Sequence, residues 1–378
     1  MIKPKDFCDI LNKNNINFFS GVPDSLLKNF CAYIIGNVDR ERNIIAANEG
    51  NAIALAAGYY LATEKIGLVY MQNSGLGNAT NPLLSLADPK VYNIPVLLLI
   101  GWRGEPGKKD EPQHTKQGEV TLKLLEAMGI RYEILSKDED GMKKNIKDAA
   151  AYMERTKNPY ALVASKDTFD SCKLKDIGDA GYELNREEAL RYIISNMNDN
   201  SAIVSTTGKT SREVFELREE LNQGHSKDFL TVGSMGHSLS IALSIALAQP
   251  ARDVYCIDGD GALLMHMGGL AIAGGMSPDN LKHIVINNGA HDSVGGQPTV
   301  GFYIDMRKIA EGSGYKLVLQ AETKEELLKA IKKLNNSKEL TFLEVKVNKG
   351  SRENLGRPTI TPIENKEKFM RFLDTEPI

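Results

Sequence analysis

The sequence predicts an α/β protein with two doubly wound parallel-sheet domains. The chain has 378 residues, more than one compact core usually holds. In both halves, short β-rich runs alternate with helical patterns, which is typical of a parallel sheet with helices on both faces. A polar stretch without periodicity, residues 166–185, separates the halves. We therefore assign residues 1–168 to a first domain, 169–185 to a linker and 186–378 to a second domain.

The elements of each half follow from apolar runs and periodicity. Short runs rich in Val, Ile, Leu and aromatic residues predict strands, and longer amphipathic or Ala-rich stretches predict helices. The predicted strands are residues 16–23, 43–47, 67–72, 96–102, 160–165, 202–207, 228–232, 253–258, 281–288 and 340–347. The predicted helices include residues 26–34, 51–63, 187–198, 237–248 and 324–334.

Composition excludes several classes of partner. The net charge is −3, so no global field attracts nucleic acid or anionic lipid. Apolar runs such as residues 94–102 are too short to span a membrane, and the first residues lack the apolar stretch of a secretory signal. Four scattered cysteines predict reduced thiols in a cytoplasmic protein.

Two predicted strands of the second half end in residues that suit a metal and diphosphate site. The first runs into Gly259-Asp260-Gly261, and after 25 intervening residues the second ends in Asn287-Asn288. Because adjacent parallel strands end at the same crevice, the Asp260 carboxylate and an asparagine amide can bind one hard cation. The glycines permit close approach of phosphates, and a helix beginning at Gly261-Ala262 offers N–H donors. Taken singly, each piece has a purely structural alternative: the first is a Gly-rich strand–helix turn with an Asp helix cap, and the second is an Asn-Asn-Gly turn.

This segment resembles the signature of the thiamine-diphosphate-dependent 2-oxo acid decarboxylases, GDG followed at this spacing by NN. The resemblance implies the thiamine-diphosphate-binding fold, with an N-terminal pyrimidine-binding and a C-terminal diphosphate-binding domain. It implies thiamine diphosphate and Mg²⁺ as cofactors, with Mg²⁺ bound by Asp260, the Asn288 side chain and the Ala290 carbonyl.

Glu49 lies at a strand-to-helix junction among small apolar residues. It resembles the activating glutamate of this family, which hydrogen-bonds the pyrimidine ring nitrogen and so promotes proton loss from the cofactor. The alternative is an acidic residue that complements the helix N-terminus.

Other loops resemble the cofactor-binding loops of the family. The stretch 231–240 resembles a loop that contacts the pyrimidine amino group and holds the cofactor bent, which implies roles for Gly233 and Met235. Residues 205–213 and the Gly-rich stretch 67–81 resemble two further cofactor loops. The resulting cofactor contacts are Glu49, Asn73, Gly75, Thr207, Gly208, Gly233, Met235, Gly259, Asp260, Gly261, Ala262 and Asn288. Dinucleotide binding at Gly75-x-Gly77 is disfavoured, since Thr80 replaces the third glycine.

Candidate catalytic residues outside these motifs come from two segments. The polar stretch 102–119 predicts a mobile active-site loop, and within it Gln113 and His114 resemble the HHT of pyruvate decarboxylases. The turn GVPDS resembles their GVPGD with one residue missing, so the catalytic aspartate corresponds to Asp24 or is replaced by Ser25.

Residues 291–299 resemble the phosphonopyruvate and sulfopyruvate branch, which lacks the middle domain of the larger enzymes. The resemblance implies a homo-oligomer with active sites between subunits and decarboxylation of a strongly anionic 2-oxo acid. We expect 3-phosphonopyruvate, converted to phosphonoacetaldehyde and CO₂ in phosphonate biosynthesis, because sulfopyruvate enzymes are often split into two subunits. Sulfopyruvate, and a non-catalytic cofactor sensor, are the alternatives. Candidate substrate contacts are Gln113, Lys116, Lys209 and His291, within a wider cation pool of Lys108, Lys109 and Arg212.

Overall fold

The structure is a computed structural model that describes residues 1–174 and 180–375. The chain divides into two compact units, Met1–Asp176 and Ile177–Ile378. Each unit contains one six-stranded parallel sheet, and each sheet has apolar clusters beneath helices on both faces. This architecture confirms the predicted α/β fold with two doubly wound parallel sheets.

The first unit consists of strands β1–β6 and helices α1–α6. The strands are β1 Phe18–Gly21, β2 Asn43–Ile45, β3 Gly67–Gln72, β4 Val96–Gly101, β5 Arg131–Ile134 and β6 Tyr160–Ala164. The helices are α1 Pro4–Lys13, α2 Lys28–Asn37, α3 Glu49–Thr63, α4 Leu76–Pro82, α5 Pro112–Ala127 and α6 Glu139–Thr156. One face of the sheet is covered by a cluster that includes Phe30 and Met142, and the other by a cluster that includes Ile53 and Leu125.

The second unit repeats this plan and adds a small hairpin. The sheet strands are β7 Ala202–Ser205, β8 Asp228–Leu230, β9 Val254–Gly259, β10 Leu281–Asn287, β13 Leu317–Ala321 and β14 Thr341–Lys346, and the hairpin is β11 Ala290–His291 with β12 Gln297–Pro298. The helices are α7 Arg186–Asn196, α8 Lys209–Glu220, α9 Ser238–Ala248, α10 Asp260–Met265, α11 Gly268–Met276, α12 Met306–Gly312, α13 Lys324–Asn336 and α14 Pro362–Leu373.

Both sheets have the same strand order. The orders are β2-β1-β3-β4-β6-β5 and β8-β7-β9-β10-β14-β13. When the six strands of each large sheet are numbered in chain order, without the hairpin, both sheets follow 2-1-3-4-6-5. In each sheet the chain therefore changes direction between the first and third strands. Ligands of doubly wound sheets bind at this switch point, beyond the carboxyl ends of the strands. The expected crevices lie between β1 and β3, and between β7 and β9.

The structure corrects the predicted elements in two places. Strands β5 and β13 were not predicted, and both lie at an edge of their sheet. The stretch 102–119 was predicted as a loop, but α5 begins at Pro112 and includes Gln113, His114 and Lys116. Proline suits the first turn of a helix, because its missing N–H has no partner there in any case.

The predicted linker 169–185 is described only in part, since residues 175–179 lie outside the described residues. Phe169 packs in the core of the first unit and Leu184 in that of the second. The limits of the linker remain a prediction. Among the described residues, no helix is both long and apolar enough to cross a membrane.

Candidate active site

Asp260 and Asn288 come together at the tips of β9 and β10. Gly259 lies opposite Ile286 in the parallel register, so the next residues leave the sheet side by side. The Asp260 carboxylate accepts hydrogen bonds from the Thr299 hydroxyl and the Asn288 backbone N–H. Its side chain is buried, and this burial raises the pKa of Asp260 to about 7.

The two asparagines have different tasks. The Asn287 amide donates to the Gly301 carbonyl at 2.8 Å and to the Glu344 carboxylate at 2.7 Å, which fixes the end of β10. The Asn288 amide nitrogen instead donates to Asp292 at 2.7 Å, and its Oδ1 accepts the Ala290 N–H at 3.1 Å. Because an amide oxygen has two lone pairs, Asn288 Oδ1 retains one for a further partner.

The Ala290 carbonyl points away from the hairpin ladder. The Thr299 N–H donates to the Gly289 carbonyl, and Ala290 lies opposite Pro298. Bonded and non-bonded pairs alternate in an antiparallel ladder, so Ala290 and Pro298 form a non-bonded pair whose polar groups face outward. The N–H and C=O of an extended residue face the same side, and the Ala290 N–H bonds the Asn288 side chain. The Ala290 carbonyl therefore faces the same side as Asn288.

These groups fit a magnesium ion. A carboxylate, an amide oxygen and a backbone carbonyl are hard oxygen ligands of the kind that Mg²⁺ prefers. Small residues keep the space open: a Cβ at Gly261 would lie 2.9 Å from the His291 ring, and one at Gly301 would lie 2.8 Å from Asp260 Oδ2.

The other predicted loops of the second unit adjoin this corner. A Cβ at Gly261 would lie 3.5 Å from Met235 Cε, so the loop that contains Gly233 and Met235 reaches the turn between β9 and α10. Gly208, which follows Thr207, has a φ of +90° at the start of α8. Only glycine adopts this conformation readily.

In the first unit, Glu49 is the first residue of α3 and is buried. Its Oε2 accepts the Asn78 amide at 2.8 Å, and a Cβ on Gly75 would lie 2.4 Å from Oε1. Burial raises the pKa of Glu49, although the bond from Asn78 opposes this shift. A carboxyl group that retains its proton can donate a hydrogen bond to a ring nitrogen.

Asn73, predicted as a cofactor contact, is buried beneath the loop after β4. Its amide nitrogen donates to the Arg103 carbonyl and to the Thr121 hydroxyl, both at 2.8 Å. Both N–H groups of this side chain are therefore used within the unit, and Asn73 positions the start of that loop.

Asp24 lies in the crevice between β1 and β3. Gln72, the last residue of β3, donates to its Oδ1 at 2.8 Å, and the Leu26 N–H donates to Oδ2 at 3.0 Å. The Asp24 side chain is fully buried, and this burial raises its pKa. Asp24 is thus a second buried acid with neutral hydrogen-bond donors.

Arg103 was not selected from the sequence, yet it connects the candidate catalytic residues. It forms a bidentate pair with Asp110 at 2.8 and 2.5 Å, and it donates to Ser25 Oγ at 2.7 Å. Burial and the nearby Arg103 charge lower the pKa of His114 to about 4. His114, on α5 beside the half-buried Gln113, is therefore a neutral imidazole at pH 7.

The predicted cations differ in environment. Lys116 is 81% exposed and pairs with Glu119, as expected of a surface residue. Lys209 is half-buried, and burial lowers its pKa. Arg212 donates to the Gly356 carbonyl and therefore holds a loop.

Sequence reasoning missed four polar residues at these sites. They are Thr299 beside Asp260, Asn78 beside Glu49, and Gln72 and Arg103 around Asp24. Thr299 ends the segment 291–299 that had been recognised, so it was available to the sequence argument. Isolated polar residues such as Asn78 carry no comparable pattern.

Comparison with known proteins identifies both halves. Residues 5–126 match the thiamine pyrophosphate enzyme N-terminal TPP binding domain, and residues 206–345 match the C-terminal TPP binding domain. The phosphonopyruvate decarboxylase of Streptomyces viridochromogenes is 32% identical, covering 100% of this chain and 96% of the relative. That of Streptomyces hygroscopicus is 33% identical, with 100% and 95% covered. The sulfopyruvate decarboxylase of Methanosarcina acetivorans is 29% identical, with 97% and 96% covered.

These matches confirm the family resemblance and the thiamine diphosphate cofactor predicted from the sequence, with Mg²⁺ as the usual partner metal. They also weaken one argument, because a sulfopyruvate decarboxylase aligns with nearly the whole chain. A single fused chain therefore does not separate the two substrates. The chain belongs to the thiamine pyrophosphate enzyme family, in the branch that contains the phosphonopyruvate and sulfopyruvate decarboxylases.

Proposed function

We propose that this chain catalyses the non-oxidative decarboxylation of 3-phosphonopyruvate to phosphonoacetaldehyde and CO₂. The observation that carries the proposal is the alignment of the entire chain with two phosphonopyruvate decarboxylases at 32% and 33% identity. The sulfopyruvate enzyme that aligns over a comparable length is 29% identical. Sulfopyruvate is therefore the second candidate substrate.

The residues of the second unit are proposed to bind the cofactor. Asp260, the Asn288 amide oxygen and the Ala290 carbonyl would hold Mg²⁺, which would supply positive charge for the diphosphate. Gly259, Gly261 and Ala262, with Thr207 and Gly208, leave room for the diphosphate at the carboxyl ends of β7 and β9. Gly233 and Met235 would contact the pyrimidine side of the cofactor and hold it in its bent shape.

The buried acids of the first unit are proposed to handle protons. When bound, thiamine diphosphate supplies a carbon nucleophile for the substrate ketone and an electron sink for the carboxylate that leaves as CO₂. Glu49 holds a proton at its carboxyl and hydrogen-bonds the pyrimidine ring nitrogen. Asp24 supplies the proton that replaces CO₂, while Ser25 and His114 orient the substrate. Gln113, Lys116, Lys209 and His291 remain candidate contacts of the phosphonate.

A product assay tests this proposal. Phosphonopyruvate and sulfopyruvate are incubated separately with the enzyme, with and without Mg²⁺ and thiamine diphosphate, while CO₂ and aldehyde are measured. We expect release from phosphonopyruvate at the higher kcat/KM, dependent on both cofactors. A higher kcat/KM for sulfopyruvate would identify the chain as a sulfopyruvate decarboxylase. Cofactor binding without CO₂ release from either acid would favour a non-catalytic sensor.

We also propose a homo-oligomer in which Glu49 of one subunit and Asp260 of another serve the same active site. Co-expression of one chain with Glu49→Gln and one with Asp260→Asn tests this arrangement. Shared sites leave one intact site in each mixed dimer, so activity returns. Sites contained within one chain leave every site damaged, and the mixed dimers would be inactive.

We also propose a cytoplasmic location for the protein. Cell fractionation would test this location.

A further inference from the structure

A buried group of charges lies behind the candidate metal ligand Asn288. Arg186, on α7, binds both carboxylate oxygens of Glu213 on α8, at 2.7 and 2.8 Å. Its remaining amino group donates to Asp292 at 2.9 Å. The side chains of all three residues are at most 8% exposed. We call these residues, Arg186, Glu213 and Asp292, the Arg186 cluster.

Three donors converge on one oxygen of Asp292. Oδ2 accepts from Arg186, from the Asn288 amide at 2.7 Å and from the Gly350 N–H at 3.0 Å. Asp292 follows the β11 hairpin strand, so it joins the loop that carries the candidate ligands to the helices α7 and α8. The loop is thereby attached to the rigid body of the unit.

This arrangement determines which end of the Asn288 amide faces the metal. An amide group presents either oxygen or nitrogen to a given direction, and only the oxygen can bind a cation. Because a carboxylate accepts hydrogen bonds but does not donate them, Asp292 requires the nitrogen end. The oxygen must then point away from Asp292, toward the side where Ala290 N–H also bonds it.

We propose that Asp292, held by Arg186 and Glu213, is a positioning residue that orients the Asn288 amide for Mg²⁺. The inference rests on the proposed function, in which Asn288 is a metal ligand. Burying three charges is energetically costly, and such groups are weak contributors to net stability. We therefore assign this cluster a role in orienting the Asn288 amide rather than in stabilising the fold. Outer groups that orient metal ligands commonly change metal affinity about 10–100-fold when they are removed.

The direct test measures Mg²⁺ affinity by titration calorimetry, with thiamine diphosphate present, for the wild type and Asp292→Ala. We expect the variant to bind Mg²⁺ about 10–100-fold more weakly. Asp292→Asn retains an oxygen acceptor at this position and should bind Mg²⁺ more tightly than Asp292→Ala. Equal affinity in Asp292→Ala and the wild type would overturn the inference. Absence of Mg²⁺ binding in the wild type would instead refute the proposed function.

A matched control separates orientation from general stability. Asp228, on β8, accepts bidentate bonds from Arg218 at 2.9 and 2.8 Å and is fully buried, but it contacts none of the candidate ligands. Asp228→Ala should lower the melting temperature of the metal-free protein and leave the Mg²⁺ affinity unchanged. Equal weakening of Mg²⁺ binding in both variants would overturn the inference.

If Asp292→Ala does not fold, Glu213→Gln provides the second variant. It leaves Asp292 in place but replaces the charged partner that holds Arg186. We expect a smaller loss of Mg²⁺ affinity than the about 10–100-fold expected for Asp292→Ala. An unchanged affinity in Glu213→Gln, in the absence of a folded Asp292 variant, would count against the proposal.

Discussion

In the first unit, the crevice between β1 and β3 holds buried acids, Asp24 and Glu49, whose pKa values burial raises. In the second unit, the equivalent crevice between β7 and β9 is bordered by the candidate oxygen ligands around Asp260 and Asn288. The two sheets have the same strand order, and both sites lie at the carboxyl ends of strands. The topology therefore selects where a site forms, while the strand-end residues select its chemistry.

The buried acids of the two units have similar partners, since Asp260 also accepts from a neutral donor, the Thr299 hydroxyl. Glu49 is hydrogen-bonded by the neutral Asn78 amide, and Asp24 by the neutral Gln72 amide. Such donors satisfy the carboxyl group without strongly favouring its ionised form, so burial raises the pKa of all three acids, although the nearby Arg103 charge opposes the shift at Asp24. In the second unit, the Arg186 cluster brings a full positive charge to the loop behind Asn288, and its acid, Asp292, serves as an acceptor.

The largest expected effect comes from Glu49→Gln. The amide cannot supply the acidic proton, so kcat should fall about 10²–10⁴-fold. Because Glu49 belongs to the proton-handling unit, Mg²⁺ affinity should change little. Steady-state kinetics and calorimetry on the same preparation check both expectations. Near-normal turnover would remove Glu49 from the mechanism.

Asp260→Asn should mainly lower Mg²⁺ affinity, whereas Glu49→Gln should mainly lower kcat. The substitution removes the only charged member of the proposed ligand set, so the loss of Mg²⁺ affinity should exceed the about 10–100-fold change typical of outer groups. Turnover should recover in part at high Mg²⁺ concentration, which Glu49→Gln should not show. A titration of activity against Mg²⁺ distinguishes them, and an unchanged titration in Asp260→Asn would contradict the assignment.

Asp24→Asn should lower kcat by about 10²-fold, near the lower end for acid–base catalysis. The pH profile provides the sharper measurement. An acid that donates its proton is active below its pKa, and burial raises the pKa of Asp24. The wild-type rate should therefore fall as the pH rises through that value, and the variant should lose this decline. A decline that persists unchanged would assign the proton donor elsewhere.

The smallest effects test the space around Glu49. In Gly75→Ala the new Cβ would lie 2.4 Å from Glu49 Oε1, so we expect a destabilisation of about 1–3 kcal/mol. Gly77→Ala is the control, because among the described residues no atom outside the adjacent backbone of helix α4 lies within 4 Å of its Cβ position. It should be neutral or stabilise the protein by up to about 1 kcal/mol. Denaturant unfolding measures both, and equal effects would contradict the close packing at Gly75.

The central strands could be predicted from the sequence because they are buried on both faces. The predicted residues 67–72 coincide with β3, whose residues are almost all buried. The edge strands β5 and β13 were missed because their residues are largely half-exposed or exposed, and neither shows an apolar run of four or more residues. The start of α5 was missed because Pro112 was taken as a loop residue rather than as the first residue of a helix.

The candidate site likewise contains residues that could be predicted from the sequence and residues that could not. Asp260, Asn288 and Glu49 were selected because each follows a strand within a short, spaced motif. In the Arg186 cluster, Arg186 contacts Glu213, which is 27 positions away in the sequence, and Asp292, which is 106 positions away. No local pattern marks such pairs in one sequence. The folded topology is needed before α7, α8 and the hairpin loop become neighbours.

The carbonyl of Ala290 has a consequence for how this site tolerates change. A ligand supplied by the main chain does not depend on the identity of its side chain, so many small residues at 290 should preserve it. It depends instead on the alternation of the hairpin, in which Ala290 faces Pro298. A one-residue slip in the pairing of these two strands would turn that carbonyl to the opposite side. The proposed metal site would then lose a ligand although Asp260 and Asn288 were still present.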